Sequence, residues 1–396
     1  MHTMSCPRPV PPSSRRLRAN PVLALLGVCI LGVCILGDRV SAQSGASAQS
    51  GASAQDGVAK APPDRGIRTF GTVTVAPDFV LRGVGSDVDS PAIWEAPDPA
   101  DTLLFVSAKG NSLVEVWKYP FQGNQQPALK PDMPVNAVAV DRVRAELYVM
   151  GGGHVKVFGL PDLGFRRGYG SIEKGETNGD VLHLKDGQTR LYVSSDHAVH
   201  VFDAVTGEKL GFTITPPVTS IETVVCDDFH QSVHIPEEQG VDGIGTGVHV
   251  YHPDGSPYDN GSGNRYGAAA ITKHGEEGIA LYRCPCNGTG DDGRGWFIVT
   301  EQIRVQSRFH FFDRQTWAYL GDVRITGVSR TDGIATTQRA MPAFPSGIFA
   351  AVDRSRATAI VSWQTILRAT GLGCGAEAPA APPAAPPASH GKAGGG

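Results

Sequence analysis

Acidic side chains in this chain occur in pairs where strands are expected to begin. Asp87-Val88-Asp89 runs into Ser90-Pro91-Ala92-Ile93-Trp94. Asp227-Asp228 and Glu237-Glu238 bracket a short apolar run. Glu276-Glu277 precedes Gly278-Ile279-Ala280-Leu281-Tyr282, and Asp332-Gly333 opens onto Ile334. Carboxylates brought together repel one another unless a hard cation neutralises them, and an oxygen-only donor set favours calcium. The plainer interpretation is that acids before strands are ordinary turn residues. The choice turns on whether the fold gathers these strand starts in one place.

Other chemistries find less support. The chain has no Gly-x-Ser-x-Gly motif, and Gly151-Gly152-Gly153 is a turn, not a phosphate loop, because no helix follows it. Cys284-Pro-Cys286 lacks a His or Cys partner at zinc spacing. His197, His200, His230, His234, His249, His252 and His310 mostly alternate along strands, so a share of them face solvent.

The elements that must position the acids form a repeat. An apolar strand, a short polar turn and a second alternating strand recur six times. Phe105-Val106-Ser107 leads to Val114–Trp117, Leu147-Tyr148-Val149 to Val155–Phe158, and Leu191-Tyr192-Val193 to Val199–Phe202. The pattern continues from Val233-His234-Ile235 to Val248–Tyr251, from Phe297-Ile298-Val299 to Phe309–Phe312, and from Ile348-Phe349-Ala350 to Ala359–Ser362. The early copies start about 42 residues apart, the period of a four-stranded propeller blade. A blade has two open faces and gains stability only by stacking in a ring. The expected fold is therefore all-β, a six-bladed β-propeller, with five or seven blades left open by the irregular ends. In such a ring the innermost strands begin at one mouth of the central channel, where carboxylates from several blades converge.

Composition agrees with that fold class. Of 396 residues, 19% are charged, and 49 are Gly and 29 Pro, which suits short strands joined by many turns. Residues 1–42 read as a signal peptide: Arg15, Arg16 and Arg18, an apolar run from Pro21 to Gly37, then Val40-Ser41-Ala42. An uncleaved anchor is the alternative. A secreted or extracytoplasmic location follows. Residues 43–65 are a low-complexity linker, 66–373 the propeller domain, and 374–396 an Ala/Pro/Gly-rich tail. Without the leader, 30 basic and 38 acidic side chains remain. That balance disfavours nucleic acid and anionic membranes as partners unless metal ions mediate. Export permits disulfides among Cys226, Cys284, Cys286 and Cys374, with no pairing readable.

Several segments resemble the β-propeller phytases, six-bladed calcium-dependent phytate phosphatases. Asp89-Ser90-Pro91-Ala92-Ile93-Trp94 resembles the family's Asp-Asp-Pro-Ala-Ile-Trp. Cys226-Asp227-Asp228 with Ile235-Pro236-Glu237-Glu238 resembles its Ala-Asp-Asp and Ile-Ala-Glu-Glu. Glu277–Tyr282 is similar to Glu-Gly-Leu-Thr-Ile-Tyr. Phe312-Asp313-Arg314, Thr331-Asp332-Gly333-Ile334, Phe344–Phe349 and Ser362-Trp363 also have counterparts. The ordered matches span residues 226–363.

The resemblance implies calcium ligands at Asp89, Glu237, Glu277 and Asp332, with Gln302 beside them, and a phosphate-binding Lys109. Of these, Glu237, Glu277 and Asp332 are the expected catalytic residues. It implies phytate or another inositol phosphate as substrate, with calcium binding phosphate oxygens and activating the water that attacks phosphorus. The chain also departs from the family. Ser90 replaces an Asp, and Ala139, Gly275 and Ala335 each stand where the family has an acid. The family's phosphate-clamping Arg, second Lys and Tyr have no clear counterpart, and Arg304 and Arg308 are candidate substitutes. Two alternatives stay beside the phosphatase: a propeller that binds without turnover, and another metal-dependent propeller hydrolase of the lactonase kind.

Overall fold

The computed structural model describes residues 68–374, apart from 171, 174, 176, 239–246, 262, 269–274 and 285–289. The expected leader, the linker, Cys286 and the tail beyond Cys374 lie outside the described residues.

The chain is an all-β, six-bladed β-propeller. Two strands come first, β1 (Thr72–Val75) and β2 (Phe79–Leu81). Blade 1 follows as β3 (Val88–Trp94), β4 (Leu103–Ala108), β5 (Leu113–Lys118) and β6 (Gln125–Leu129). Blade 2 is β7 (Ala137–Asp141), β8 (Glu146–Gly151), β9 (His154–Gly159) and β10 (Phe165–Tyr169). Blade 3 is β11 (Gly179–His183), β12 (Thr189–Ser195), β13 (Ala198–Asp203) and β14 (Lys209–Ile214). Blade 4 is β15 (Val225–Asp227), β16 (Ser232–Pro236), β17 (Val248–Tyr251) and β18 (Arg265–Tyr266). Blade 5 is β19 (Glu276–Arg283), β20 (Gly295–Glu301), β21 (Arg308–Asp313) and β22 (Tyr319–Ile325). Blade 6 is β23 (Ile334–Thr337), β24 (Ile348–Asp353) and β25 (Ala357–Ser362).

The first strands of the blades touch in turn, β3 to β7, β11, β15, β19, β23 and back to β3, which closes the ring. The N-terminal strands seal it. β2 pairs antiparallel with β25 as the fourth strand of blade 6, and β1 adds a parallel fifth strand to blade 5 along β22. β1 and β2 thereby hydrogen-bond onto the outer strands of blades 5 and 6 and cover those edges.

The core is six apolar clusters, one between each pair of adjacent blades. Within β4, Leu104 and Val106 pack toward blade 6, whereas Leu103 and Phe105 pack toward blade 2. Side chains alternate across a strand, so a middle strand between two blades is apolar at every position. This is why Leu103–Val106 reads as an unbroken apolar run.

The one α-helix among the described residues is α1 (Trp363–Thr370). Ser362 caps it by accepting from the Gln364 amide, and Gly371 ends it in the left-handed region at φ 68°. Cys284 and Cys374 form a disulfide across 90 residues, tying the end of β19 to the segment after α1, while Cys226 is free and buried. No helix among the described residues is long and apolar enough to cross a membrane.

Candidate functional site

The innermost strands all run in one direction, so their starts share one mouth of the channel and their ends share the other. Two backbone irregularities shape the first mouth. The β3–β4 ladder slips between Val88 and Pro91, at Asp89-Ser90, and the β19–β20 ladder slips between Glu276 and Ile279, at Glu277-Gly278. A bulge of this kind re-aims one side chain out of the regular alternation. Glycines let the strand starts crowd together. A Cβ on Gly333 would lie 2.5 Å from the Asp89 carbonyl oxygen, and one on Gly275 would lie 2.4 Å from the Glu238 carbonyl oxygen. The second contact leaves no room for a side chain at Gly275.

Two groups of polar side chains result. In the first, Lys109 Nζ pairs with Asp89 Oδ2 at 2.5 Å, and Asp89 Oδ1 accepts from Ser90 Oγ, which accepts from Asn178 Nδ2. Asp332 accepts from Gln302 Nε2 at 2.7 Å and from Ser355 Oγ at 3.0 Å. Burial, and next the charge of Asp89, push Asp332 up to about 6. In the second group, carboxylate oxygens of Glu222, Glu238 and Glu277 all lie within 4.8 Å of one another, and Ser220 Oγ donates to Glu238 Oε2. Asp89, Lys109, Asn178 and Glu222 line one small cleft, which joins the two groups.

Of the residues singled out from sequence, Asp89, Lys109, Gln302 and Asp332 fall in the first group and Glu277 in the second. Glu237 is 0% exposed, its amide donates to Glu276 Oε2, and its neighbour Glu238 supplies the carboxylate beside Glu277. Glu276 is equally buried, and burial together with Glu237 and Glu301 pushes it up to about 8. Glu222 was invisible to motif reading because it precedes β15 in irregular chain. Arg304 is exposed on the loop that begins at Gln302, whose amide donates to the Gly275 carbonyl; Arg308 instead lies 3.9 Å from Glu301.

The donor set fits calcium. It is oxygen-only and contains three carboxylates with ligand atoms within 4.8 Å of one another.

The second mouth is built differently. His183 Nε2 lies 3.1 Å from Asp141 Oδ1 and Nδ1 lies 3.2 Å from Asp228 Oδ2. Asp141, then Asp228, raise the imidazole to about 9, so it is cationic at neutral pH. A raised folded pKa contributes stability that is complete below the unfolded value and is lost as pH rises through about 9. His183→Gln is therefore expected to cost about 2–3 kcal/mol near pH 6 and much less near pH 10. Urea unfolding of both proteins at the two pH values measures this; an equal gap at both would refute the cationic assignment.

No protein-family model matches the chain, and no curated protein matches it. Among solved structures, it is similar to a chain of the mitotic checkpoint complex, with 14% identity, a TM-score of 0.47 and coverage of 82% of this chain and 98% of that one. It is also similar to the WD40 repeats of RRP9, with 11% identity, a TM-score of 0.48 and coverage of 73% and 99%. Neither likeness bears on what this chain binds.

Proposed function

We propose that the first mouth binds calcium and hydrolyses phosphomonoesters there, with phytate or a related inositol phosphate as substrate. One observation supports this above the rest: Glu222, Glu238 and Glu277 come within 4.8 Å of one another beside Asp89, Asp332 and Lys109. Calcium held by such carboxylates supplies positive charge for phosphate oxygens and lowers the pKa of water. The chain's own residues do the rest. Glu222, Glu238 and Glu277 provide one carboxylate face, and Asp89 and Asp332 provide the other. Gln302 and Ser355 fix the Asp332 carboxylate, and the Asn178–Ser90 relay fixes Asp89. Lys109 offers an ammonium to a phosphate at the same cleft, and exposed Arg304 offers a cation to a further phosphate of a polyanionic substrate. With residues 1–42 acting as an export leader, this chemistry would run outside the cytoplasm.

A second reading, a calcium-holding propeller without turnover, draws on the Lys109–Asp89 pair at 2.5 Å, which engages the phosphate lysine with a carboxylate. Turnover separates the two. Phosphate release from phytate and from p-nitrophenyl phosphate is expected with calcium and not with chelator. No release from either substrate in calcium-replete protein would leave the binding module. Calcium itself is read by stability. Binding to the native state alone contributes about 2.7 kcal/mol at a hundredfold excess over the dissociation constant, so chelator is expected to lower Tm clearly. An unchanged melting curve after verified metal removal would count against the site.

A further inference from the structure

The acids of the second mouth accept hydrogen bonds, whereas its two arginines make only long ion pairs. Asp180 accepts from the amides of Val181 and Cys226, and Asp228 accepts from the His183 amide and faces its ring. Arg142 and Arg283 both line the channel. Among the described residues, neither guanidinium makes a hydrogen bond. Arg142 Nη1 stands 3.6 Å from Glu95, and Arg283 Nε stands 3.9 Å from Asp291. Burial, and next the charge of Arg142, lower the pKa of Arg283. Both arginines thus line the channel at the ends of strands from blades 2 and 5, and each guanidinium feels the other's charge.

We propose that this second mouth binds a small carboxylate, held by Arg142 and Arg283. A carboxylate matches the guanidinium fork with two parallel hydrogen bonds and places one negative charge between two positive ones. Two features select the ligand. The channel cavity is about 140 Å³, below the roughly 300 Å³ at which pockets for drug-sized ligands begin, so the ligand is small. Asp180, Asp228 and Glu95 border the same space, so a dianion such as phosphate is repelled more than a monoanion is. The site does not depend on calcium or on turnover at the first mouth.

Acetate is the probe, added to the full chain in chelator so that no cation at the first mouth recruits it. Saturation transferred from protein to the acetate methyl protons is expected in the wild type and absent in Arg142→Gln and Arg283→Gln. Arg142→Lys keeps the charge but loses the fork, and is expected to weaken the signal severalfold. Phosphate at equal ionic strength is expected to compete poorly; strong competition by phosphate would overturn the monocarboxylate assignment. A second measurement needs no variant. Phenylglyoxal labelling of the wild type, mapped by mass spectrometry, is expected to slow at Arg142 and Arg283 when acetate is present, with chloride as control. No saturation transfer in the wild type, or labelling at both arginines unaffected by acetate, would overturn the proposal.

Discussion

Glu277→Gln is expected to lower calcium-dependent phosphate release by about a hundredfold or more while leaving the fold intact. Losing an outer-shell partner typically costs 10–100-fold in metal affinity or activity, so losing a ligand costs at least the upper end of that range. The change keeps the shape of the side chain and removes the negative charge that holds the cation. The same variant relieves repulsion with Glu222 and Glu238, whose oxygens lie within 4.8 Å. Its Tm should accordingly respond much less to chelator than the wild type's. Glu222→Gln and Glu238→Gln are expected to behave alike, because the three share one cluster. Asp332→Asn is expected to lose activity as well, since Asp332 joins the cleft through Asp89. Glu276→Gln should be nearly silent in activity: Glu276 is wholly buried, and a Gln oxygen can still accept from the Glu237 amide. Phosphate release across calcium concentration for these variants decides the matter. Full activity in Glu277→Gln would reject the site, and loss in Glu237→Gln but not in Glu238→Gln would reject the ligand set.

That last comparison shows where sequence reading stops. Short apolar runs each followed by a second strand announced the six strand pairs, because a middle strand packed between two blades must be apolar on both faces. β1 and β2 were not announced. They are short and partly exposed, and their role in closing the ring depends on partners about 250 and 280 residues away. Paired acids before strands were legible as a set able to converge, and resemblance picked Asp89, Glu237 and Glu277, but residue type alone did not say which member of each pair faces the channel. A bulge at Glu277 and a bulge at Asp89 set that choice, and a bulge is a matter of register between strands, not of residue type. Resemblance singled out Glu237, whereas Glu238 is the residue beside Glu277. Glu222 lies outside any repeat and had no signal at all. Arg142 and Arg283 follow the same logic as the acids, at the other ends of the same strands, and were passed over because no family motif covers them.

Arg314→Met is expected to cost about 3–5 kcal/mol, among the largest losses for any single change outside the apolar core. The Arg314 side chain is 0% exposed and links blade 5 to blade 4. Nε donates to Asp227 Oδ2 at 2.7 Å and Nη2 to Asp227 Oδ1 at 2.5 Å. Nη1 and Nη2 also donate to Asp291 at 2.6 and 2.9 Å, and Nη1 to the Arg294 carbonyl at 3.0 Å. Burial alone would raise Asp227, but the Arg314 hydrogen bonds prevail and hold it down to about 2. A depressed folded pKa contributes stability that is present above the unfolded value, near 3.8, and is lost as pH falls through about 2. Removing Arg314 leaves Asp227 buried without its counter-charge, so its pKa climbs and the variant gains relative stability as pH falls. The gap between wild type and Arg314→Met should therefore narrow when denaturant unfolding is repeated near pH 4. Adding Asp227→Asn to Arg314→Met should recover part of the loss at neutral pH, since it removes the stranded charge. A neutral-pH loss below about 1 kcal/mol, the scale of an exposed pair, would show that this linkage does not hold blades 4 and 5 together.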